Sequence, residues 1–153
     1  MSNLPFGFEK PEDSLGFLLW QTTITWQRAI KKILEPHELS HTQFVVMALL
    51  LWLSEHKFQV TQTLIAEWSK LDKMTISQAL KKLAQRKLVK RAEHKKDTRA
   101  KTVTLTPEGK RLISHVVPLI EKTDETFFDV LSKPHHETLS SFLKRLVEQQ
   151  SGS

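Results

Sequence analysis

The sequence contains no cysteine and only four glycines among its 153 residues. The lack of cysteine excludes a disulfide scaffold, a thiol nucleophile, a thiol redox switch and a zinc site built on thiolates. With so few glycines, neither of two common phosphate-binding motifs, G-x-G-x-x-G and G-x-x-x-x-G-K-[ST], occurs. The length and an apolar fraction of 39% are typical of one soluble domain with a sizeable core.

Long apolar runs are also missing from the sequence. The longest covers 10 residues, 44–53, whereas a membrane-spanning helix needs about 20. The first 13 residues lack the basic start and apolar core of a signal peptide. We therefore expect a cytoplasmic location and no membrane partner.

The charge of the chain is unevenly distributed. Residues 61–111 contain 14 Lys and Arg against 5 Asp and Glu, a net charge of +9, whereas the remaining residues contain 9 against 12, a net charge of −3. A cluster of like charges repels itself, and an anionic partner such as nucleic acid gives it a purpose. A solvated lysine-rich face is the alternative interpretation.

Capping residues and helical spacing of apolar residues predict four helices in the first 86 residues. The predicted ranges are 15–36, 41–55, 62–69 and 73–86, and Ser40, Thr61 and Asp72 are the predicted N-caps of the last three helices. Only the tight turn Lys70-Leu71 separates the third helix from the cap of the lysine-rich fourth. This arrangement is typical of a helix-turn-helix.

The next segment predicts a β-hairpin. Strands beginning at Leu88 and over 102–105 flank a charged loop at 94–99, and Thr106 then caps a fifth helix to about Leu131, in which Pro118 is the expected place for a bend. A sixth helix begins at residues 132–134. The predicted fold class is therefore mostly α with a small β-hairpin wing, in a single domain covering residues 1–153.

The fourth helix has one apolar face and one polar face. The apolar face consists of Ile76, Ala79, Leu80 and Leu83, and the opposite side carries Met74, Gln78, Lys81 and Gln85 with Thr75, Ser77 and Lys82 beside them. Short donors and acceptors together with lysines suit base edges and phosphates in a major groove. The predicted DNA-binding residues on this helix are Lys73, Thr75, Ser77, Gln78, Lys81 and Lys82.

The hairpin adds a second predicted contact with DNA. Lys95, Lys96, Arg99 and Lys101 lie at or near its tip, where a guanidinium can enter the narrow minor groove. Asp97 is expected to hold the loop or to orient Arg99 by pairing with it.

These segments resemble the winged helix-turn-helix of MarR-family regulators. The resemblance lies in residues 64–67 and 71–80, in Leu83, Leu88 and Val89, and in Asp97-x-Arg99-Ala100-Lys101 followed by Val103-x-Leu105-Thr106-Pro107-Glu108-Gly109. It implies a homodimeric transcription regulator, usually a repressor relieved by a small ligand, that binds a pseudo-palindromic operator in double-stranded DNA. It also implies that residues 14–56 and 106–150 form a helical dimerisation region and that residues 57–105 form the DNA-binding lobe. The chain departs from the family pattern where Lys70 and Lys87 replace glycines.

Aromatic and histidine residues are candidates for an effector pocket between these two parts, since such pockets have apolar walls with a few polar groups. The candidates are Trp20, His41, Trp52 and His115, and ordinary core packing is the alternative. No cofactor is expected.

Two other functions remain open at this point. His37-Glu38-Leu39-Ser40-His41 matches the zinc-hydrolase motif H-E-x-x-H, but Ser40 suits the cap of the next helix, and that cap would interrupt the helix on which zinc ligands need to lie. The second alternative is a winged-helix module for protein contacts, against which the +9 charge argues. We expect neither a metal site nor catalytic residues.

Overall fold

The computed structural model describes residues 3–93 and 101–151. It contains six α-helices in these ranges: α1 (Leu15–Leu34), α2 (His41–Glu55), α3 (Gln62–Ser69), α4 (Lys73–Gln85), α5 (Pro107–Phe128) and α6 (Lys133–Ser151). Two strands, β1 (Val89–Glu93) and β2 (Lys101–Leu105), lie between α4 and α5. The predicted fold class is confirmed.

The helix boundaries follow from local side-chain capping. Ser40, Thr61, Asp72 and Thr106 each accept a hydrogen bond from the backbone N–H three residues later, as predicted. Ser14 caps α1 in the same way. Short-range polar contacts therefore set where these helices begin.

Two helices end earlier than the sequence predicts. α1 ends at Leu34 and is followed by a 3-10 turn over Glu35–His37, which contains Pro36. α5 continues through Pro118 and ends at Phe128 rather than near Leu131.

The two strands form an antiparallel hairpin. Val89 pairs with Leu105 and Glu93 pairs with Lys101. The N–H of Val103 donates to the carbonyl of Val60 at 2.9 Å, so β2 is also tied to the segment that precedes α3. The hairpin is thereby fixed to the helix-turn-helix at its base.

The hydrophobic core lies where helices α1 to α5 meet the base of the hairpin. Its fully buried side chains include Ile30, Leu34, Met47, Leu50, Leu53, Ile65, Ile76, Leu80, Leu83, Val103 and Ile113. α2 supplies many of these residues, in line with its apolar sequence. It is the central helix around which the others pack.

One face of the molecule is not covered within the protomer. α6 makes few contacts with the other described elements, and its apolar residues Phe142 and Leu146 are 53% and 57% exposed. At the start of α1, Leu15 is 85% exposed. These two helices therefore leave a large apolar surface in contact with solvent.

None of the helices in the described ranges is long and apolar enough to cross a membrane.

Candidate nucleic-acid interface

The start of α4 is fixed by Asp72. Its carboxylate accepts a hydrogen bond from the backbone N–H of Thr75 at 2.7 Å and another from the Thr75 hydroxyl at 2.8 Å. The backbone bond and then the hydroxyl bond lower the pKa of Asp72 below its ordinary value. Because the Thr75 hydroxyl donates its proton within the protein, it is left as an acceptor towards any ligand.

α4 buries one face and exposes the other as predicted. Ile76, Ala79, Leu80 and Leu83 are buried against the core. The predicted DNA-binding side chains lie outside this face: Lys73, Gln78, Lys81 and Lys82 are exposed, and Thr75 and Ser77 are half-buried. From Lys73 to Gln85 the helix contains three lysines and no acidic residue. The exposed side is therefore a cationic surface with amide and hydroxyl groups among the charges.

The hairpin also exposes basic side chains. Val89 and Val103 are buried at its base, whereas Lys90 and Lys101 are exposed on it. The Thr102 hydroxyl donates to the carbonyl of Ala92 across the strands at 3.1 Å. The predictions for Lys95, Lys96, Asp97 and Arg99 lie outside the described residues.

Lys70 and Lys87, the two positions at which the resemblance implied glycine, have left-handed backbone conformations. The φ angles of Lys70 and Lys87 are 64° and 60°. Lys87 follows the C-terminal end of α4, where its N–H donates to Ala84 and the N–H of Leu88 donates to Leu83. This pair of bonds is a Schellman motif. Its left-handed residue is usually glycine, because glycine has no Cβ.

Arg86 at the C-terminal end of α4 has a structural role that the sequence did not reveal. Its guanidinium donates to the carbonyl of Glu38 at 2.5 Å and to that of His37 at 3.3 Å. These partners are 48 and 49 residues away in the chain, so no local pattern could identify them. Arg86 thus connects the C-terminal end of α4 to the turn between α1 and α2.

Thr106 and Gly109 connect the end of α4 to α5. The buried Thr106 hydroxyl donates to the carbonyl of Lys87 at 2.7 Å, and the Thr106 N–H donates to the carbonyl of Leu88 at 3.0 Å. A Cβ atom on Gly109 would overlap that same Leu88 oxygen. The Thr106-x-x-Gly109 pattern is thus required by a close approach of two backbones.

The effector-pocket candidates are placed in separate surroundings. His41 packs edge-on against Trp26, whose indole N–H donates to Asp124 at 2.7 Å. Burial lowers the pKa of His41, and the charge of Asp124 opposes this in part.

The other three candidates lie elsewhere. His115 contacts the ring of His37, and Trp52 stacks on His56 at 3.8 Å. Trp20 is exposed on α1. An effector pocket built from these residues stays a prediction.

The geometry disfavours the zinc-hydrolase alternative. His37 ends a 3-10 turn, Glu38 is left-handed with a φ of 55°, and His41 begins α2. The motif therefore does not lie on one helix, and its two histidines contact different rings. In the described ranges, no three His, Asp or Glu side chains are grouped as a metal site.

Comparison with known proteins places this geometry in a family. The model of the ArnR1-like winged-helix domain matches residues 35–122. A relative from Bacillus subtilis (strain 168), the uncharacterized HTH-type transcriptional regulator YdcH, is 32% identical over 143 residues, which cover 94% of this chain and 96% of the relative.

Solved structures share the fold over most of their length. A mutant of MarR from Escherichia coli, complexed with operator DNA, aligns with a TM-score of 0.77 and 20% identity, covering 86% of this chain and 92% of MarR. Bordetella bronchiseptica BpsR, described as regulated in its DNA binding by 6-hydroxynicotinic acid, aligns with a TM-score of 0.82 and 22% identity, covering 92% of this chain and 98% of BpsR. The family match and this relative, together with the shared fold, show that the chain belongs to the MarR family of winged-helix transcriptional regulators.

Proposed function

We propose that this regulator is a homodimer that binds a pseudo-palindromic operator in double-stranded DNA. α4 occupies the major groove, and the hairpin reaches the adjacent minor groove. Binding represses transcription, and a small ligand relieves it. The MarR mutant bound to operator DNA and the BpsR protein regulated by 6-hydroxynicotinic acid support both parts.

The exposed face of α4 is the observation that carries the proposal. Gln78 and Ser77 supply the amide and hydroxyl groups that base edges pair with, and Lys73, Lys81 and Lys82 supply charges for phosphates. No acidic side chain between residues 73 and 85 opposes an approaching phosphate. A surface of this kind serves DNA better than a protein partner, because an interface between proteins seldom needs such an excess of one charge.

A two-fold axis would match the two halves of an operator. In this proposal residues 14–56 and 106–150 form the dimerisation region, and residues 57–105 form the DNA-binding lobe. The exposed apolar residues of α1 and α6 support this, since a second copy would bury them. The two copies of α4 would then lie about 34 Å apart, one turn of DNA.

The salt dependence of DNA binding tests the proposal. We expect the logarithm of the binding constant to fall steeply with the logarithm of salt, by about 0.9 for each phosphate neutralised. In Lys81→Gln with Lys82→Gln we expect a slope shallower by about 2. The exposed Lys31 of α1 is the matched control, and Lys31→Gln should leave the slope unchanged.

A flat salt dependence would instead favour the protein-contact module.

The wing is tested separately by Arg99→Ala, which is expected to weaken operator binding by about 1–3 kcal/mol. Unchanged operator affinity in this variant would contradict the minor-groove role of Arg99.

A further inference from the structure

Met74 places a sulfur atom on the exposed side of α4. Its side chain is 71% exposed, although methionine is apolar and is commonly buried. Met47 is fully buried in α2, and Met1 lies outside the described residues. Because the chain has no cysteine, Met74 is the accessible sulfur in the part of the chain that the structure describes. An oxidant that meets the folded protein can therefore reach Met74 far more easily than Met47.

Met74 lies beside the residues that the proposed function assigns to bases. Residues four apart on a helix lie on the same side, so Met74 and Gln78 are neighbours in one row. Ile76 and Leu80, which face the core, lie on the other side of α4. Met74 is in the first turn, and helical side chains point back towards the N-terminus, so no earlier turn of α4 lies beneath its thioether. A ligand that approaches Gln78 therefore also meets the sulfur.

Oxidation turns this apolar side chain into a hydrogen-bond acceptor. A two-electron oxidant such as hypochlorous acid transfers its oxygen atom to the sulfur, and a proton and a chloride ion are released. Phosphate oxygens are acceptors too and offer no proton to the new oxygen. Beside phosphates, the sulfoxide oxygen therefore has no donor, or it takes a donor from the neighbouring Gln78 amide. Either arrangement opposes DNA binding, because an acceptor that loses water without gaining a partner is costly.

In the free protein, the sulfoxide of Met74 stays in water and costs the fold little. Met74 is outside the hydrophobic core, and Asp72 caps α4 through bonds to Thr75 that do not involve the sulfur. Oxidation of Met47 would instead place an oxygen atom among fully buried side chains. The structure thus directs oxidation away from the core and towards the exposed face of α4.

We propose that Met74 is an oxidation site through which a two-electron oxidant weakens DNA binding. The weakening rests on the proposed function of α4 in DNA binding, whereas the selective oxidation of Met74 does not. Methionine sulfoxide reductases return the sulfoxide to the thioether, so the change is reversible.

Peptide mass spectrometry after a stoichiometric dose of hypochlorous acid tests the oxidation. We expect Met74 to gain one oxygen atom at least about tenfold faster than Met47, because only Met74 exposes its sulfur. The helical signal in circular dichroism should not change. Equal oxidation of the two methionines would overturn the proposal.

Protection by DNA tests the position of the sulfur in the complex. A duplex selected from the source genome, at a saturating concentration, should slow the oxidation of Met74 at least about threefold, because bound DNA covers the side chain. The control is a scrambled duplex, which consumes the same amount of oxidant, at a salt concentration at which only the selected duplex binds. Equal oxidation with the two duplexes would overturn the proposal.

Fluorescence anisotropy with the selected duplex tests the consequence for DNA binding. The oxidised parent protein should bind at least about tenfold more weakly than the untreated protein, and methionine sulfoxide reductases should restore the affinity. Met74→Leu keeps an apolar side chain of similar size without sulfur, so treatment should change its affinity by less than about twofold. Met47→Leu is the matched control, and treatment should weaken its binding as it does for the parent.

The possible failures are distinguishable. If the parent carries the oxygen on Met74 but binds DNA as before, the regulation is wrong. If treatment weakens Met74→Leu as much as the parent, another residue is responsible and the proposal is overturned. If the untreated parent binds no DNA at low salt, the proposed function fails while the selective oxidation seen by mass spectrometry stands.

Discussion

At the scale of single residues, the junction between α4 and α5 depends on the absence of a side chain. Gly109 sits in the first turn of α5, and its backbone N–H donates to the Thr106 hydroxyl at 3.0 Å. The same hydroxyl donates to the carbonyl of Lys87, just after α4. The position of α4 relative to α5 is therefore set by one threonine and one glycine.

The substitution Gly109→Ala should weaken this junction. The added Cβ would overlap the Leu88 oxygen and lie 2.9 Å from its carbonyl carbon, and both are backbone atoms that cannot rotate away. We expect the free energy of unfolding to fall by roughly 3 kcal/mol, as measured by urea denaturation at fixed protein concentration. The control is Gly16→Ala in α1, where the nearest atom would be 3.9 Å away. Equal stability of the two variants would contradict the close approach.

The left-handed Lys87 allows a substitution in the opposite direction. Glycine avoids the contact between Cβ and the backbone but gains freedom in the unfolded chain. We expect Lys87→Gly to raise the free energy of unfolding by about 0.5–1 kcal/mol in urea denaturation. Lys87→Ala removes the charge and keeps the Cβ, so an equal gain in that variant would assign the effect to charge instead.

Among the elements, α4 has to meet two requirements with neighbouring residues of its first turns. Its N-terminal turn must be capped within the protein, and in the proposed complex its outer face must stay free for DNA. Asp72 meets the first requirement by holding both polar groups of Thr75. In the proposed complex, Ser77 and Gln78 can donate to bases because their side chains are not part of the cap, whereas Thr75 can only accept.

The cap gives a pH dependence of known sign. The pKa of Asp72 in the folded protein lies below its value of 3.8 in the unfolded chain. The stabilisation is therefore complete above pH 3.8 and is lost as the pH falls through the lower folded pKa. We expect Asp72→Asn to melt at a lower temperature than the parent near neutral pH, with a difference that shrinks in acid. A difference that stays constant into the acid range would exclude the carboxylate as its source.

In the proposed complex, different residues on the outer face of α4 contact bases and phosphates. Gln78→Ala should reduce the difference in binding free energy between operator and non-specific DNA by about 1–3 kcal/mol. It should leave the salt slope unchanged. Lys81→Gln, on the same face, should weaken binding to both kinds of DNA and make the slope shallower by about 1. Anisotropy titrations on operator and scrambled duplexes measure both quantities. If Gln78→Ala lowered affinity equally on every duplex, Gln78 would contact a phosphate.

The sequence predicts elements well because their signals are local. Each N-cap side chain bonds to a backbone N–H only three residues later, so a short sequence pattern predicts it. This holds for Ser40, Thr61, Asp72 and Thr106. Contacts between elements carry no such signal. The bond from Trp26 to Asp124 spans 98 residues.

The predicted sites likewise depend on whether their residues belong to one element or to several. The exposed face of α4 could be read from one helix, because residues on one face recur with its period. An effector pocket requires several helices to meet. The four candidate residues for it share only an aromatic or histidine side chain, and in the structure three of them contact different rings.

At the scale of the whole molecule, charge and apolar surface are separated. The +9 charge lies in the segment that contains α3, α4 and the hairpin, whereas the exposed apolar side chains concentrate on α1 and α6. A single copy in water would leave the apolar surface without a partner. The two properties suit a molecule that dimerises through its apolar surface and binds DNA through its basic surface.

A charge placed in the apolar surface should separate the two copies. Leu146 lies on the apolar face of α6 with Phe142 and is 57% exposed in the protomer. We expect Leu146→Asp to be monomeric by light scattering, because the dimer would have to bury a carboxylate without a partner. It should also bind operator at least about a hundredfold more weakly, since one lobe alone loses the gain from two linked half-sites.

The control for this variant is Ser141→Asp, which adds the same charge on the opposite side of α6. It should remain dimeric and bind like the parent. Because α6 makes few contacts within the protomer, the helical signal in circular dichroism should largely persist in Leu146→Asp. A dimer of normal affinity in that variant would show that the second copy does not bind through α6, and the match between protein symmetry and operator symmetry would then need another interface.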